Sequence, residues 1–249
     1  MKDDQVCLFL YFAKYPVTNK RYRSFISYLA GKKTEMTDSP PLKEFQEQLL
    51  RVASNIKDFS QYIGNDPEKW SVKFRSEYEE EKRFKGDDQP VRGVSWYEAK
   101  SYCLWLSLMA ARESKLEFKE ATGLFRLPTE LEWEWAAAGR GSDGNLREYP
   151  WPVNKGEPSD KLTNYDDNVG AAIPVGRYPD GASPEDLHDM AGNVWEWMEN
   201  HYKVDKHWPA LRGGSWYDSA VNLRCSARDL NDPGLRVYDF GFRVVRAQT

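Results

Sequence analysis

The chain has 249 residues, enough for one large domain or two small ones with a substantial core. Hydrophobic residues at 40% and charged residues at 30% are ordinary for a globular protein. The net charge of −4 excludes a nucleic-acid binder that works through bulk electrostatics. Cys7, Cys103 and Cys225 are far apart and odd in number, which suggests neither a disulfide framework nor a metal-binding cysteine pair. They fit a reducing compartment or indifference to redox. The apolar run Val6–Ala13 is too short to span a bilayer and lacks a small-residue cleavage pattern, so neither an export signal nor a membrane span is expected. Localisation is then open: synthesis in the cytoplasm, with display on a surface or virion not excluded.

In chain order, residues 5–13 predict a buried strand. A helix follows, capped by Thr18 or Asn19, with Tyr22, Phe25, Ile26 and Leu29 at helical spacing. From about 31 to 88 the chain turns rich in Lys, Glu and Asp. Its helical segments near 42–56 and 70–84 read as an insertion lying on the domain, thin in apolar content. Residues 90–95 are extended. A helix from Trp96 to Met109 starts at a capping box of Ser95 and Glu98, and another from Glu130 to Ala138 starts at one of Thr129 and Glu132 and stops at Gly139. Beyond Arg140 the chain is loop-rich, broken by apolar runs at 173–175, 194–198, 211–212 and 242–245. The expected class is α+β with high coil content.

The motif series is YPVTNKRYRSF (15–25), QPVRGVSWYEAKSYCLW (89–105), FRLPTELEWEWAAAGR (125–140), YPWP (149–152), HDMAGNVWEW (188–197), LRGGSW (211–216) and GFRVVR (241–246). In that order it resembles the sulfatase-modifying-factor family, the formylglycine-generating enzyme and its relatives. The resemblance implies one C-type-lectin-like domain over residues 1–249, with two main helices, small antiparallel sheets and much ordered loop. Trp133, Trp135, Trp195 and Trp197 are expected in the core with bonded indoles. Arg126, Arg224, Arg228 and Arg243 are expected in ion pairs, and Gly213 and Gly214 at a tight backbone approach. Glu132 and Glu134 are read as solvated or paired.

Catalytic relatives carry two copper-binding cysteines shortly after the GGS turn, since soft thiolates suit copper(I). Here 216–224 holds no cysteine, and Cys225 matches a structural position of the family. Another branch makes sulfoxides at a three-histidine iron site. His188, His201 and His207, spaced 13 and 6 apart, match no ligand pattern. No copper and no enzymatic activity are therefore expected. The family's structural calcium ligands transfer by position onto two loops. One would use Asp189, the Gly192 and Val194 carbonyls and Glu196; the other would use Asn164, the Tyr165 carbonyl, Asp167 and the Val169 carbonyl. Hard oxygen donors of this kind suit Ca²⁺; for the first loop, carboxylates that merely cap turns are the alternative.

From Tyr217 to Ala247 the chain contains no Lys, Glu, Gln, Met or Trp, although these make up about a quarter of the whole, so about seven would be expected there. Codons ending in a pyrimidine cannot encode those five residues. Such an alphabet results when asparagine codons are randomised at their adenines, as diversity-generating retroelements do to their targets, which are often members of this family. The implied variable region spans about 216–240. Its candidate positions are Tyr217, Asp218, Ser219, Val221, Leu223, Ser226, Asp229, Leu230, Leu235, Val237, Tyr238 and Asp239. An exposed mixture of Tyr, Asp and aliphatics resembles a paratope. These side chains are expected to cluster on one solvent-exposed face, and the expected partner there is an unidentified protein or cell-surface molecule. The alternatives are a fixed-ligand or interaction module and, third, a copper-dependent oxidase of a substrate cysteine.

Overall fold

A computed structural model describes residues 10–32, 39–116, 123–139, 146–203 and 206–247. The helices are α1 (Asn19–Leu29), α2 (Leu42–Ala53), α3 (Phe59–Ile63), α4 (Trp70–Lys73), α5 (Trp96–Ser114) and α6 (Glu130–Ala138). The strands are β1 (Leu10–Phe12), β2 (Phe125–Arg126), β3 (Trp195–Lys203), β4 (Lys206–Arg212), β5 (Asp229–Leu230), β6 (Phe240–Gly241) and β7 (Val245–Ala247). The N-terminal part of the strand predicted at 5–13 lies outside the described residues.

The helix starts follow from local chemistry. Thr18 caps α1, and the boxes Ser95/Glu98 and Thr129/Glu132 open α5 and α6, each satisfying two otherwise orphaned N–H groups. α5 runs on to Ser114, beyond the predicted Met109.

Two small sheets brace the loops, β1-β7-β2 and β5-β4-β3-β6. Their pairings are antiparallel except β3 with β6, which is parallel, a departure from the all-antiparallel expectation. The apolar run 173–175 forms no strand.

The 31–88 region is woven into the core more deeply than its composition suggests. Phe45, Leu49, Phe59, Ile63, Trp70 and Phe74 join the main hydrophobic cluster around Phe25 and Trp105. The large residues among them, Phe45, Phe59, Trp70 and Phe74, are fully buried. After Trp70 a single short helix stands where the sequence predicts a longer one, and turns follow it. Among the described residues no helix is long and apolar enough to cross a membrane.

Candidate functional site

The C-terminal half is anchored by buried ion pairs and indole hydrogen bonds. Arg243 and Glu196 are both sealed from solvent, and Arg243 Nη2 donates to Glu196 at 2.9 Å. Arg243 Nε also donates to Glu196, Nη1 to the carbonyls of Ala13 and Lys14, and Nη2 to the carbonyl of His188 as well. Trp133 donates to Glu196, Trp195 to Asp218 and Trp197 to the Val94 carbonyl. Arg126 pairs with Glu132, Arg224 with Glu148, Arg228 with Glu130 and Arg212 with Glu134. Trp135 departs from expectation: it is 52% exposed, because α6 turns it outward while Trp133 faces in.

The GGSW turn sets the face. A Cβ on Gly214, at φ +72°, would lie 2.7 Å from Leu223 Cδ2 and 2.8 Å from the Asn222 carbonyl, so only glycine fits without displacement. Beyond the turn, Tyr217, Ser219, Val221, Ser226 and Leu235 are exposed, and Asp218, Asp229, Leu230, Val237 and Tyr238 are half-buried. Two candidates are corrected by burial. Leu223 is fully covered, packed in a cluster with Tyr149, Trp151, Leu162 and Ala191. Asp239 is buried behind β6 and accepts from Ser215 Oγ at 2.9 Å.

Asp218 also serves the fold. Its Oδ2 accepts from Trp195 Nε1 at 2.8 Å and from Ser215 Oγ at 2.5 Å, and its Oδ1 accepts from Asn222 at 2.6 Å. One Ser215 hydroxyl hydrogen thus lies between two carboxylates. Burial pushes Asp239 up to about 6, aided by the nearby Asp218 charge and opposed by the Ser215 bond.

Tyr217 and Tyr238 come together, ring centroids 6.2 Å apart and nearly perpendicular. Trp216 lies beneath both rings, 5.6 and 5.7 Å away. Asp229 and Leu230 stand elsewhere: β5 forms one edge of the four-stranded sheet and β6, which follows Tyr238, the other. Tyr217 and Tyr238 therefore share one patch, and Asp229 and Leu230 stand at a separate sheet edge.

Near that edge is a cleft of about 700 Å³, lined among others by Tyr62, Trp96, Tyr97, His201, His207 and Pro233. Sequence reasoning missed it, because α3 of the insertion forms one wall and no local signal marks that wall. Val237 packs on the main core.

The two loops that the resemblance assigns to calcium differ. In the first, Glu196 is already held by Arg243 and Trp133, and Asp189 Oδ2 accepts the Gly176 N–H at 2.7 Å. The Gly192 carbonyl accepts from Val194 N. Those donors, with a guanidinium among them, do not fit a cation. In the second, Asn164 Oδ1 is buried without a partner, while its Nδ2 is spent on Ala171 O and Asn193 Oδ1. Asp166 and Asp167 follow with left-handed backbones at φ 53° and 55°, and the Asp167 side chain is exposed. The bare Asn164 oxygen is the kind of hard donor a cation takes, although the Tyr165 carbonyl already accepts from Asn168 N.

Cys225 is buried beside Trp133 and Met190, and burial pushes its thiol up to about 12, far from a reactive thiolate. Cys103 is also buried and shifted upward for the same reason. His188 sits against Tyr15, whereas His201 and His207 face each other near Trp96. Among the described residues no group of three or more His, Cys, Asp or Glu is placed to hold a metal.

The model of the sulfatase-modifying factor enzyme 1-like domain matches residues 6–248. Hercynine oxygenase of Mycobacterium tuberculosis is 33% identical over 177 residues, 63% of this chain but 36% of its own length. Inactive C-alpha-formylglycine-generating enzyme 2 of Bos taurus is 34% identical over 169 residues, 62% of this chain and 49% of its own. The chain thus matches less than half of either relative. Among solved structures, Treponema denticola variable protein 1 superposes with a TM-score of 0.56 at 22% identity, over 95% of this chain and 84% of that one. That likeness speaks for the fold.

Proposed function

We propose that this chain, which belongs to the sulfatase-modifying factor enzyme 1-like family, is a non-catalytic binding protein whose ligand surface was diversified by a retroelement. The observation that carries the reading is the missing alphabet of 217–247 together with its placement. The stretch that lacks Lys, Glu, Gln, Met and Trp is also the one that sets Tyr217 and Tyr238 together in one patch over Trp216. Paired tyrosines supply large, rigid contact area at low entropic cost. The ligand, a protein or cell-surface molecule, docks by shape and aromatic contact. Leu223 and Asp239 belong to its support. Kinship with a named variable protein and a named inactive enzyme is consistent with this reading.

The decisive test is the neighbouring DNA. A near-copy of the 3′ coding region with adenines at these codons, beside a reverse transcriptase gene, is the expected finding. A genome without that copy overturns the diversified reading.

A second reading, a fixed-ligand or interaction module, is favoured by the separation of Leu230 from the tyrosine patch. It predicts that residues 217–239 are the same in every copy of the gene. An oxygenase or copper oxidase, suggested by the hercynine oxygenase relative, requires oxygen-dependent turnover of a thiol substrate. None is expected, because 216–224 holds no cysteine for copper and His188 stands against Tyr15 while His201 pairs with His207, which gives no three-histidine set for iron. A structural calcium is proposed for the 164–170 loop alone.

A further inference from the structure

Arg92 lies in the extended run before α5 and is 1% exposed. Its guanidinium stacks on Phe84, 3.3 Å from the ring centroid, and Nη2 donates to the Phe84 carbonyl at 3.2 Å. Among the described residues, Nε and Nη1 are buried without a partner. Glu81 and Asp239 act on Arg92 only through space. A cation removed from water with two donors unspent is costly, and native structures seldom keep one without a reason.

Two further orphans share the cluster. Trp216 Nε1 and Asp239 Oδ1 are also buried without partners among the described residues. Trp216 lies 6.3 Å from Phe84 and 5.7 Å from Tyr238, and Tyr78 lies 6.5 Å from Phe84 and 6.4 Å from Tyr238. Tyr78 and Tyr238 are half-exposed and connect the cluster to the surface patch. The unspent groups are three donor nitrogens, which carry four hydrogens between them, against one carboxylate oxygen. An occupant that satisfies them must bring acceptors, and the unpaired guanidinium favours one with negative charge.

We propose that the cluster under Tyr238 is an oxyanion site, in which Arg92 Nε and Nη1 and Trp216 Nε1 receive a carboxylate, phosphate or sulfate group of the ligand. In its claim about the ligand, the proposal rests on the binding-protein reading above. The fixed floor would then demand an acidic group, while the varied rim selects what surrounds it.

The test is thermal unfolding of the full chain in inorganic phosphate, sulfate or acetate, against chloride at equal ionic strength. Wild type is expected to gain about 4 °C in Tm at an anion concentration ten times Kd. Arg92→Met should lose that gain, yet match or exceed wild type in chloride, because it removes an unpaired buried charge. Trp216→Phe should weaken the gain and keep the ring. If Arg92→Met fails to fold, Arg92→Lys, which keeps the charge but loses the planar donors, should cut the gain. Equal Tm values in anion and chloride for wild type overturn the proposal, as does an undiminished gain in the Arg92 variants. Failure here leaves the DNA test of diversification standing. An anion response without the DNA copy assigns the site to a fixed-ligand module.

Discussion

Arg243 and Arg92 are both sealed from solvent, and their surroundings treat them in opposite ways. Around Arg243 the donors meet both oxygens of Glu196 and three carbonyls, so the charge is neutralised and the loops from Ala13 and His188 are tied to β3. Around Arg92 one nitrogen is satisfied and two are not. Burial alone therefore does not distinguish a structural arginine from a receptive one. The count of satisfied donors does.

The largest expected effect comes from breaking the completed region. Arg243→Met strands Glu196 in the interior and should cost about 3–5 kcal/mol in urea unfolding. Arg92→Met should stay within about 1 kcal/mol of wild type or exceed it. Equal losses would erase the contrast.

Next is Leu223→Ala, expected to cost about 2–4 kcal/mol because its side chain fills the cluster under Gly214. Val221→Ala, two residues earlier and exposed, should stay within about 0.5 kcal/mol. Similar values for the two would blur the line between support and rim.

A smaller effect depends on pH. Asp239 keeps its proton up to about pH 6 when folded, whereas an ordinary aspartate releases it near 4. Between those values the folded chain holds more protons than the unfolded one, so stability falls as pH rises from 4 through 6 and levels off above. Asp239→Asn should therefore gain about 2–3 kcal/mol at pH 7 and little at pH 4. A gain that is the same at both pH values would contradict the assignment.

The smallest is calcium. Binding at 164–170 should add about 1 kcal/mol at ten times Kd, be reversed by chelator and be absent in Asp167→Asn. A response that survives Asp167→Asn would move the ion elsewhere.

What was legible in the sequence was local. Thr18, Ser95 and Thr129 announce their helices because a cap needs only neighbours three residues away. The resemblance gave the indole and arginine roles of Trp133 and Arg243. Trp135 misled because a motif does not say which way a short helix is turned. Leu223 sits between exposed Val221 and Arg224, and Asp239 opens a buried run; Gly214, Trp151 and Ser215 cover them through contacts made across loops. The depth of Phe59 and Trp70 was hidden by the charge of their surroundings. Arg92 did carry a signal, a lone arginine inside the apolar run Pro90–Val94, but its missing partners needed the fold to be seen.

The crossing from β5 to β6 has a consequence for how freely this segment can change. Main-chain bonds hold it: Asn231 N to Pro209 O, Trp96 N to the Pro233 carbonyl, Gly93 N to the carbonyls of Val237 and Phe240, and the ladders at either edge. Such tethers do not read side chains. The span behaves as a suspended deck on two fixed piers, whose surface can be relaid without moving the supports. The exceptions are Arg236, whose guanidinium is tied to Tyr62, Glu98 and the Lys73 carbonyl, and any proline at 231 or 235, which would delete a bond the chain donates. Heritable novelty could then accumulate along the deck while the architecture stays as it is.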